Sequence, residues 1–276
     1  MRLSNMARRP LNSPRTVLIT GATGGLGSAL AAEYAAPGRT LVLLGRDAGR
    51  LELLAERCRA LGAVVVAKVL DLRDCAALRG WLQTFDGTAA IDLAIINAGL
   101  TSNIGPGQDG EDWPTVDALL DVNLRAPLAA VDVLLPEWRR RGSGQLALIS
   151  SLSAYIGLPL TPAYCASKAG LKAYGEALRG WLSPRGIRVS VVLPGFVETP
   201  MSDRFPGPKP FMMSPERAAR IIRAGLDRGR ARISFPRALA AGMWCLSVLP
   251  PDLSQWILRR LGYGGRAIDR SSSATG

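Results

Sequence analysis

The chain has 276 residues, of which 48% are hydrophobic and 20% charged, and its 34 basic and 22 acidic residues give a formal net charge of +12. These proportions are typical of a globular protein with a buried core. The basic residues are spread along the chain and match no nucleic-acid motif, so we expect no nucleic-acid partner. With no histidine and four scattered cysteines, the chain has neither a zinc-ligand set nor a disulfide framework, and we predict no metal site and a cytoplasmic protein.

Apolar runs alternate with helical stretches from residue 15 onward. Runs this short, separated by longer helices, predict a parallel sheet covered on both faces. The expected fold is therefore α/β: a doubly wound, Rossmann-like sheet in three layers, α/β/α. We predict strands at 15–20, 40–45, 63–72, 91–99, 144–151, 187–195 and 231–235, and helices at 24–36, 47–62, 74–84, 114–139, 162–183 and 215–229.

The alternation covers residues 15–235, and the segments before and after it divide the chain into four parts. Residues 1–14 are polar and basic without an apolar core, which predicts a disordered leader rather than a signal peptide. Residues 15–235 form the predicted dinucleotide-binding and catalytic domain, within which the proline-rich stretch 200–213 is expected to be a loop over a site. Residues 236–262 predict an apolar C-terminal helical extension packed on that domain, and residues 263–276 a disordered tail.

The stretch "TGATGGLG" at 20–27 follows the first strand and opens the first helix. Backbone N–H groups at such a helix start attract a pyrophosphate, and glycines allow the phosphates to approach closely. The spacing T-G-x-x-x-G-x-G differs from the usual G-x-G-x-x-G, and glycines also collect in ordinary turns. Its position after the first strand predicts a dinucleotide site.

The end of the second strand discriminates between cofactors. An enzyme that uses NAD places a carboxylate there to bind the ribose 2′-hydroxyl. This chain has Gly45 followed by Arg46, and an arginine suits a 2′-phosphate. We therefore predict NADP(H), with NAD(H) the less favoured alternative; Arg46 could also be a solvated arginine at the start of a loop.

Tyr164 and Lys168 are four residues apart in "AYCASKAG", on one face of a predicted helix. A nearby ammonium can lower the pKa of a phenol, and a tyrosine can then transfer protons in a protein without histidine. A tyrosine and a lysine at this spacing arise easily by chance. Ser151, at the end of a strand thirteen residues earlier, favours the catalytic interpretation of the pair, because ligands of these folds sit at the carboxyl edge of the sheet.

Taken together, these motifs resemble the compact, single-domain short-chain dehydrogenases/reductases (SDRs) over roughly residues 15–235. The matching pieces, in order, are "TGATGGLG", "LDL" with Asp71, "NAG" at 97–99, "VN" with Asn123, "ISS" with Ser151, "YCASK" and "PGFVET" at 194–199. The resemblance implies a catalytic set of Asn123, Ser151, Tyr164 and Lys168. Tyr164 would exchange the carbonyl proton, Ser151 would bind the substrate oxygen, Lys168 would lower the tyrosine pKa and hold the ribose, and Asn123 would hold a kinked helix around a proton-relaying water.

The same resemblance implies a set of cofactor contacts. Asp71 would bind the adenine amino group, and the "PGFVET" segment would hold the nicotinamide carboxamide. Asp71 could instead be a helix cap, and Thr199 a turn residue. The implied contacts are Gly21, Thr23, Gly24, Gly25, Leu26, Gly27, Arg46, Asp71, Leu72, Asn97, Ala98, Gly99, Tyr164, Lys168, Pro194, Gly195, Val197 and Thr199.

The expected function is hydride transfer between NADP(H) and the carbonyl or secondary alcohol of a mainly apolar small molecule. An alternative is a non-catalytic NADP(H)-binding redox sensor or scaffold, which would not need the four-residue catalytic set. The expected substrate-facing residues, which could instead only pack the loop, are Leu152, Tyr155, Ile156, Phe196, Phe205, Phe211, Met212 and Met213.

The extension 236–262 leaves two possibilities open. It is either a helical cover or subunit contact, or an interfacial amphipathic element that places the protein peripherally at the inner face of a membrane. Its uncharged stretch is too short to span a bilayer. The family resemblance also implies a homodimer or homotetramer, packed through the helices near 114–139 and 162–183.

Overall fold

The computed structural model describes residues 14–85, 91–105, 107 and 109–264. Apart from Pro14, the predicted leader lies outside the described residues, as do residues 265–276 of the predicted tail. Seven parallel strands form one sheet in the order β3-β2-β1-β4-β5-β6-β7. The strands are β1 Thr16–Thr20, β2 Thr40–Gly45, β3 Val64–Val69, β4 Leu93–Ile96, β5 Gly144–Ile149, β6 Ile187–Pro194 and β7 Arg232–Phe235.

Helices cover both faces of this sheet. The first, second and eighth helices pack on one face, and the third, fifth and sixth on the other, each against its own apolar core. This arrangement confirms the predicted three-layer, doubly wound fold. The helices are α1 Gly25–Tyr34, α2 Ala48–Ala60, α3 Cys75–Thr84, α4 Trp113–Leu120, α5 Ala126–Arg141, α6 Pro162–Leu182, α7 Pro200–Asp203, α8 Pro215–Asp227, α9 Arg237–Val248 and α10 Pro251–Leu258.

The strand order reverses between β1 and β4, which lie side by side in the centre of the sheet. All residues of these two strands are buried, as expected for central strands covered on both faces. In open α/β sheets a ligand binds in the crevice at such a reversal, beyond the carboxyl ends of the strands. The fold therefore predicts a site at the residues that follow Thr20 and Ile96.

The single helix predicted at 114–139 is wrong in one respect. A π-helical segment, Asp121–Arg125, separates α4 from α5. The wider turn places Asn123 inside the protein, where its amide is bonded to the backbone of Leu100 and to Ser167. Irregular turns of this kind often occur at functional sites.

The predicted extension forms α9, α10 and a final π-helical turn, Arg259–Tyr263. Their inner faces pack on a third apolar cluster that includes Leu152 and Leu193. The tail was predicted to begin at Tyr263. The side chain of this residue is instead buried in the third cluster, although both of its sequence neighbours are glycines. Of the helices in the described part of the chain, none has the length and hydropathy needed to cross a membrane.

Candidate active site

The glycine loop after β1 brings its backbone against two neighbouring segments. Gly21 has a φ of +62°, and a Cβ there would lie 2.7 Å from the Cα of Ala98. A Cβ on Gly27 would lie 2.1 Å from the carbonyl oxygen of Gly21. Only glycine allows this close turn. The turn leaves the N-terminus of α1, with its unpaired N–H groups, at the opening of the crevice.

Thr20 and Asn97 join the ends of β1 and β4. The Thr20 hydroxyl accepts hydrogen bonds from the backbone N–H groups of Asn97 (2.9 Å) and Ala98 (3.1 Å). The Asn97 amide in turn donates to the carbonyl oxygens of Thr20 (3.1 Å) and Gly21 (3.2 Å). These bonds fix the glycine loop against the "NAG" segment. Sequence analysis missed Thr20, whose signal was its position at the end of β1, directly before the loop.

A cleft of about 390 Å³ opens at the strand reversal. Of the predicted cofactor contacts, all except Asp71 line it, including the glycine loop, Arg46, Leu72, the "NAG" residues and the 194–199 segment. The Asp71 carboxylate instead accepts two hydrogen bonds from the guanidinium of Arg73, at 2.9 and 2.6 Å. These bonds hold the pKa of Asp71 below its usual value. Asp71 itself does not line the cleft, and its contact with the adenine amino group stays a prediction.

Two arginines stand where β2 ends. Arg46 and Arg50 line the cleft beside Gly45. Arg50 bonds to Asp47, which caps α2, whereas Arg46 forms no ion pair within the described residues. No acidic residue lines the cleft within the described part of the chain. The β2 end of the cleft is therefore suited to a ligand with negative charge.

The predicted catalytic residues meet around the end of β5 and the start of α6. Ser151 follows β5, and Tyr164 and Lys168 lie one turn apart on α6. The ammonium of Lys168 donates to the carbonyl oxygen of Ile149 at 3.0 Å and lies 5.7 Å from the centre of the Tyr164 ring. Ser150, missed in the sequence, ties this turn of α6 to β5 through a 2.8 Å bond to the Lys168 carbonyl.

Asn123 is 0% exposed and does not line the cleft. Its side-chain oxygen accepts from the backbone N–H of Leu100 at 2.7 Å, and its amide donates to the Leu100 carbonyl at 2.9 Å and to Ser167 at 3.0 Å. Ser167 directly precedes Lys168. Asn123 therefore connects the "NAG" loop with α6 from inside the protein, outside the cleft.

Burial is the main cause of the pKa shifts of Tyr164 and Lys168. It raises the pKa of Tyr164 to about 12, a rise partly offset by the neighbouring Ser151 hydroxyl. It lowers the pKa of Lys168 to about 8. Burial therefore sets the direction of the Tyr164 pKa shift, and the lowering expected from Lys168 stays a prediction. Near neutral pH the phenol is protonated and therefore able to donate.

Glu111 closes the N-terminus of α6, which has no side-chain cap of its own. One carboxylate oxygen accepts from the backbone N–H of Ala163 at 2.8 Å, and the other accepts from the Ser102 hydroxyl at 2.5 Å. The helix that carries Tyr164 is thereby attached to the loop after β4. Sequence analysis missed Glu111, since nothing in the local pattern shows which helix start it contacts.

A second, apolar cavity of about 100 Å³ adjoins the cleft. The two spaces share Ser151, Tyr164, Gly195, Met201 and Ser202 as walls. The rest of the cavity is formed by the loop after β4, the segment between β5 and α6, the loop after β6 and the C-terminal extension. Its apolar residues are Leu152, Leu158, Phe196, Phe205, Leu239, Met243 and Tyr263.

Several residues predicted to face the substrate lie elsewhere. Tyr155 and Ile156 line a separate shallow groove. Phe211 and Met212 are exposed, and Met213 is buried in the core beside Val197. Three residues of the C-terminal extension, Leu239, Met243 and Tyr263, take their places in the cavity wall.

A doubly wound sheet with a glycine-lined cleft, joined to an apolar cavity by a serine and a tyrosine, defines a dinucleotide-dependent oxidoreductase. Comparison with known proteins identifies the family. The family model described as short chain dehydrogenase matches residues 15–207. The chain therefore belongs to the short-chain dehydrogenases/reductases and is an NAD(P)-dependent oxidoreductase.

Relatives match over nearly the whole chain. An uncharacterized oxidoreductase from Myxococcus xanthus is 34% identical over 90% of this chain and 98% of its own. A short-chain dehydrogenase from Sphingobium yanoikuyae, solved with NADPH, is 30% identical with a TM-score of 0.75 over 92% of this chain and 99% of its own. A family member from Burkholderia phymatum, solved with NAD, has a TM-score of 0.74 at 22% identity over 83% and 91% of the two chains, and shows the fold alone.

Proposed function

We propose that the protein reduces the carbonyl group of a mainly apolar small molecule with NADPH. The observation that carries this proposal is the junction of the two spaces: Ser151 and Tyr164 form walls of both the cofactor cleft and the apolar cavity. A carbonyl group at this junction lies within reach of both hydroxyls, while its apolar body fills the cavity.

Tyr164 is the general acid. Its raised pKa keeps the phenol protonated near neutral pH, so that it can donate the proton to the carbonyl oxygen as the alcohol forms. A nicotinamide bound in the cleft supplies the hydride.

The other three residues support this proton transfer. Ser151 donates a hydrogen bond to the carbonyl oxygen and holds it next to the phenol. The Lys168 ammonium, 5.7 Å from the ring centre, stabilises the developing phenolate by about 3 kcal/mol at an effective dielectric of about 20. Asn123 keeps Lys168 in place through Ser167 and the "NAG" loop.

The cofactor preference is for NADP(H). Arg46 provides a positive charge at the end of β2, in a part of the cleft without a carboxylate among the described residues. An arginine can both bond to a 2′-phosphate and stack on the adenine. NAD(H) lacks that phosphate and gains less from Arg46.

A panel of carbonyl compounds tests the proposed activity. We expect oxidation of NADPH, followed by its absorbance, with cyclic and aromatic ketones and much slower oxidation with aldoses of similar size. No oxidation of NADPH or NADH with any ketone, or a preference for aldoses, would contradict the proposal.

We further propose that the outer face of the C-terminal extension contacts an anionic membrane surface. Trp244 and Val248 on α9, Leu253 and Trp256 on α10, and Leu261 are all exposed. Residues 237–264 also hold three arginines against one aspartate, so this segment carries a net positive charge. Aromatic side chains flanked by arginines suit the headgroup region of an anionic bilayer.

This contact is tested with vesicles of phosphatidylglycerol and phosphatidylcholine. We expect the wild type to sediment with them, and Trp244→Ser/Trp256→Ser to stay in solution. The control is Leu53→Ser/Leu61→Ser, which removes two exposed apolar side chains from α2 and its C-terminal end and should still sediment. Equal sedimentation of both double variants, or loss of a dimer rather than of vesicle binding, would contradict the proposal.

We also propose a homodimer or homotetramer packed through α4, α5 and α6. The support is apolar surface on these helices, where Trp113, Leu128 and Trp181 are exposed. Light scattering after size exclusion measures the mass directly, and a monomer at micromolar concentration would contradict the proposal.

A further inference from the structure

The helix that carries Tyr164 is capped by a residue from outside it. Its own N-cap residue, Thr161, makes no side-chain bond to the first turn, and its hydroxyl lies 3.6 Å from the Cys165 sulfur. The first helical residue, Pro162, has no N–H. The next N–H, on Ala163, donates to the carboxylate of Glu111 at 2.8 Å. Four other helices, α2, α3, α4 and α8, are capped by the side chain of their own N-cap residue: Asp47, Asp74, Asp112 and Ser214.

Glu111 lies in the segment between β4 and α4 and uses both of its carboxylate oxygens. The second oxygen accepts from the hydroxyl of Ser102, a buried residue of the same segment, at 2.5 Å. Thr101, next to Ser102, lines the apolar cavity together with Tyr164. One carboxylate therefore connects a wall of the cavity with the first turn of the helix that carries the phenol.

No other side chain in the described part of the chain bonds to an N–H of this turn. N–H groups at a helix start that lack partners leave the end free to fray. Tyr164 directly follows Ala163, so a shift of the turn moves the phenol as well. Proton transfer needs the two oxygens within about 2.6–3.2 Å, and a misplacement of about 1 Å can lower a rate about 100-fold. The contact of Glu111 with Ala163 is therefore well placed to control catalysis.

We propose that Glu111 is a positioning residue for the reduction: its carboxylate holds the first turn of α6 against the loop after β4 and so sets where the Tyr164 phenol lies in the cavity. This inference rests on the proposed function and adds to it a residue that lines neither the cleft nor the cavity. A glutamine can take over both bonds, since its oxygen accepts from Ala163 and its nitrogen donates to the Ser102 oxygen. An alanine can make neither bond.

The kinetics of two substitutions test the proposal, with cyclohexanone as the ketone. In Glu111→Ala we expect kcat to fall by about 10- to 100-fold, while the Kd for NADPH stays within about twofold of the wild type. Glu111→Gln should keep kcat within about threefold. A kcat within threefold of the wild type in Glu111→Ala, or a kcat as low in Glu111→Gln as in Glu111→Ala, would overturn the proposal.

Asp112→Ala is the matched control, at the next residue along the chain. Asp112 caps α4 by accepting from the backbone N–H of Thr115 at 3.0 Å and from its hydroxyl at 2.7 Å. Both alanine variants lose a helix cap, and we expect both melting temperatures to fall by about 1–8 °C. Only Glu111→Ala should lose kcat. An equal loss of kcat in both variants would assign it to a loosened loop and overturn the proposal.

A spectroscopic measurement separates this proposal from the proposed function. Labelling with 3-fluorotyrosine gives one fluorine signal for each of the five tyrosines, and the signal lost in Tyr164→Phe identifies Tyr164. With NADP+ and no ketone, this signal should shift or broaden in Glu111→Ala and stay in place in Glu111→Gln and Asp112→Ala. Failure to reduce any ketone would reject the proposed function and leave this test intact. An unchanged Tyr164 signal in Glu111→Ala would overturn the positioning role, whatever the turnover.

Discussion

The two sides of the active site are held together in different ways. The cofactor side, formed by the ends of β1, β2 and β4, is fixed by short-range hydrogen bonds, as between Thr20 and Asn97, and by glycines at close backbone approaches. The substrate side consists of apolar side chains from segments far apart in the chain, such as Leu152, Phe205 and Met243. The first side depends on backbone geometry, and the second on side-chain volume. Substitutions on the two sides should therefore change different kinetic constants.

The largest of the graded effects is expected at Lys168, which lines the cofactor cleft one turn of α6 after Tyr164. Lys168→Met removes a buried ammonium while keeping a side chain of similar length, and should lower kcat for reduction by about 10²- to 10⁴-fold. Because burial lowers the pKa of Lys168 to about 8, the ammonium is present below that pH and is lost above it. The wild-type rate should be flat below about pH 8 and fall above it.

The pH profile of kcat in Lys168→Met should lack this fall. The control is Lys172→Met, one turn further along α6, where the lysine is paired with Glu176 at 3.1 Å and lies outside the cleft. It should keep both the rate and the fall near pH 8. A fall of the same shape in Lys168→Met would assign it to another group.

A smaller effect, confined to the cofactor, is expected at Gly27. A Cβ at this position would lie 2.1 Å from the Gly21 carbonyl oxygen, so Gly27→Ala must shift the loop. Overpacking of this kind costs about 1–3 kcal/mol, which corresponds to an increase of about 5- to 150-fold in the Kd for NADPH, measured by fluorescence titration. Gly80→Ala, in open space on α3, should bind NADPH like the wild type. Equal affinity of both variants would show that the loop does not carry the phosphates.

On the cofactor side, Arg46 is expected to distinguish NADPH from NADH. Arg46→Ala should raise KM for NADPH by about 10-fold through loss of a charge-assisted hydrogen bond, and should leave KM for NADH within about twofold. Arg57→Ala, an exposed position on α2 outside the cleft, is the control. An equal rise for both cofactors would contradict the assignment of Arg46 to a 2′-phosphate.

The smallest effect is expected on the substrate side. Met243→Ala enlarges the cavity and should raise KM for a small ketone such as cyclohexanone by about three- to tenfold, while a bulkier ketone gains. The Kd for NADPH should not change. Trp244→Ala, whose side chain points away from the cavity on the same helix, should alter neither constant. A changed Kd for NADPH in Met243→Ala would show that the two sides are not separable.

The same contrast explains what could be predicted from the sequence. The sheet, the glycine loop and the residues that line the cleft follow from local patterns, because strand ends and glycine turns are set by near neighbours. Asp71 is the one predicted contact that does not line the cleft, and its carboxylate is bonded to Arg73 two residues later. The roles of the predicted residues stay predictions.

The substrate side could not be predicted in this way. Phe211 and Met212 lie in the proline-rich stretch 200–213, which has no periodic pattern that indicates where its side chains point, and both are exposed. Tyr263 stands among glycines with no sign of its burial. Which apolar residues meet in a cavity depends on the packing of distant segments, which a local pattern does not contain.

The central claim is that Tyr164 donates the proton during hydride transfer without contributing much to cofactor binding. Single-turnover oxidation of NADPH by Tyr164→Phe, measured together with the Kd for NADPH, tests it most directly. We expect a single-turnover rate lower by about 10²- to 10⁴-fold and a Kd within about threefold of the wild type. An unchanged rate, or a loss of rate explained by lost NADPH binding, would contradict it.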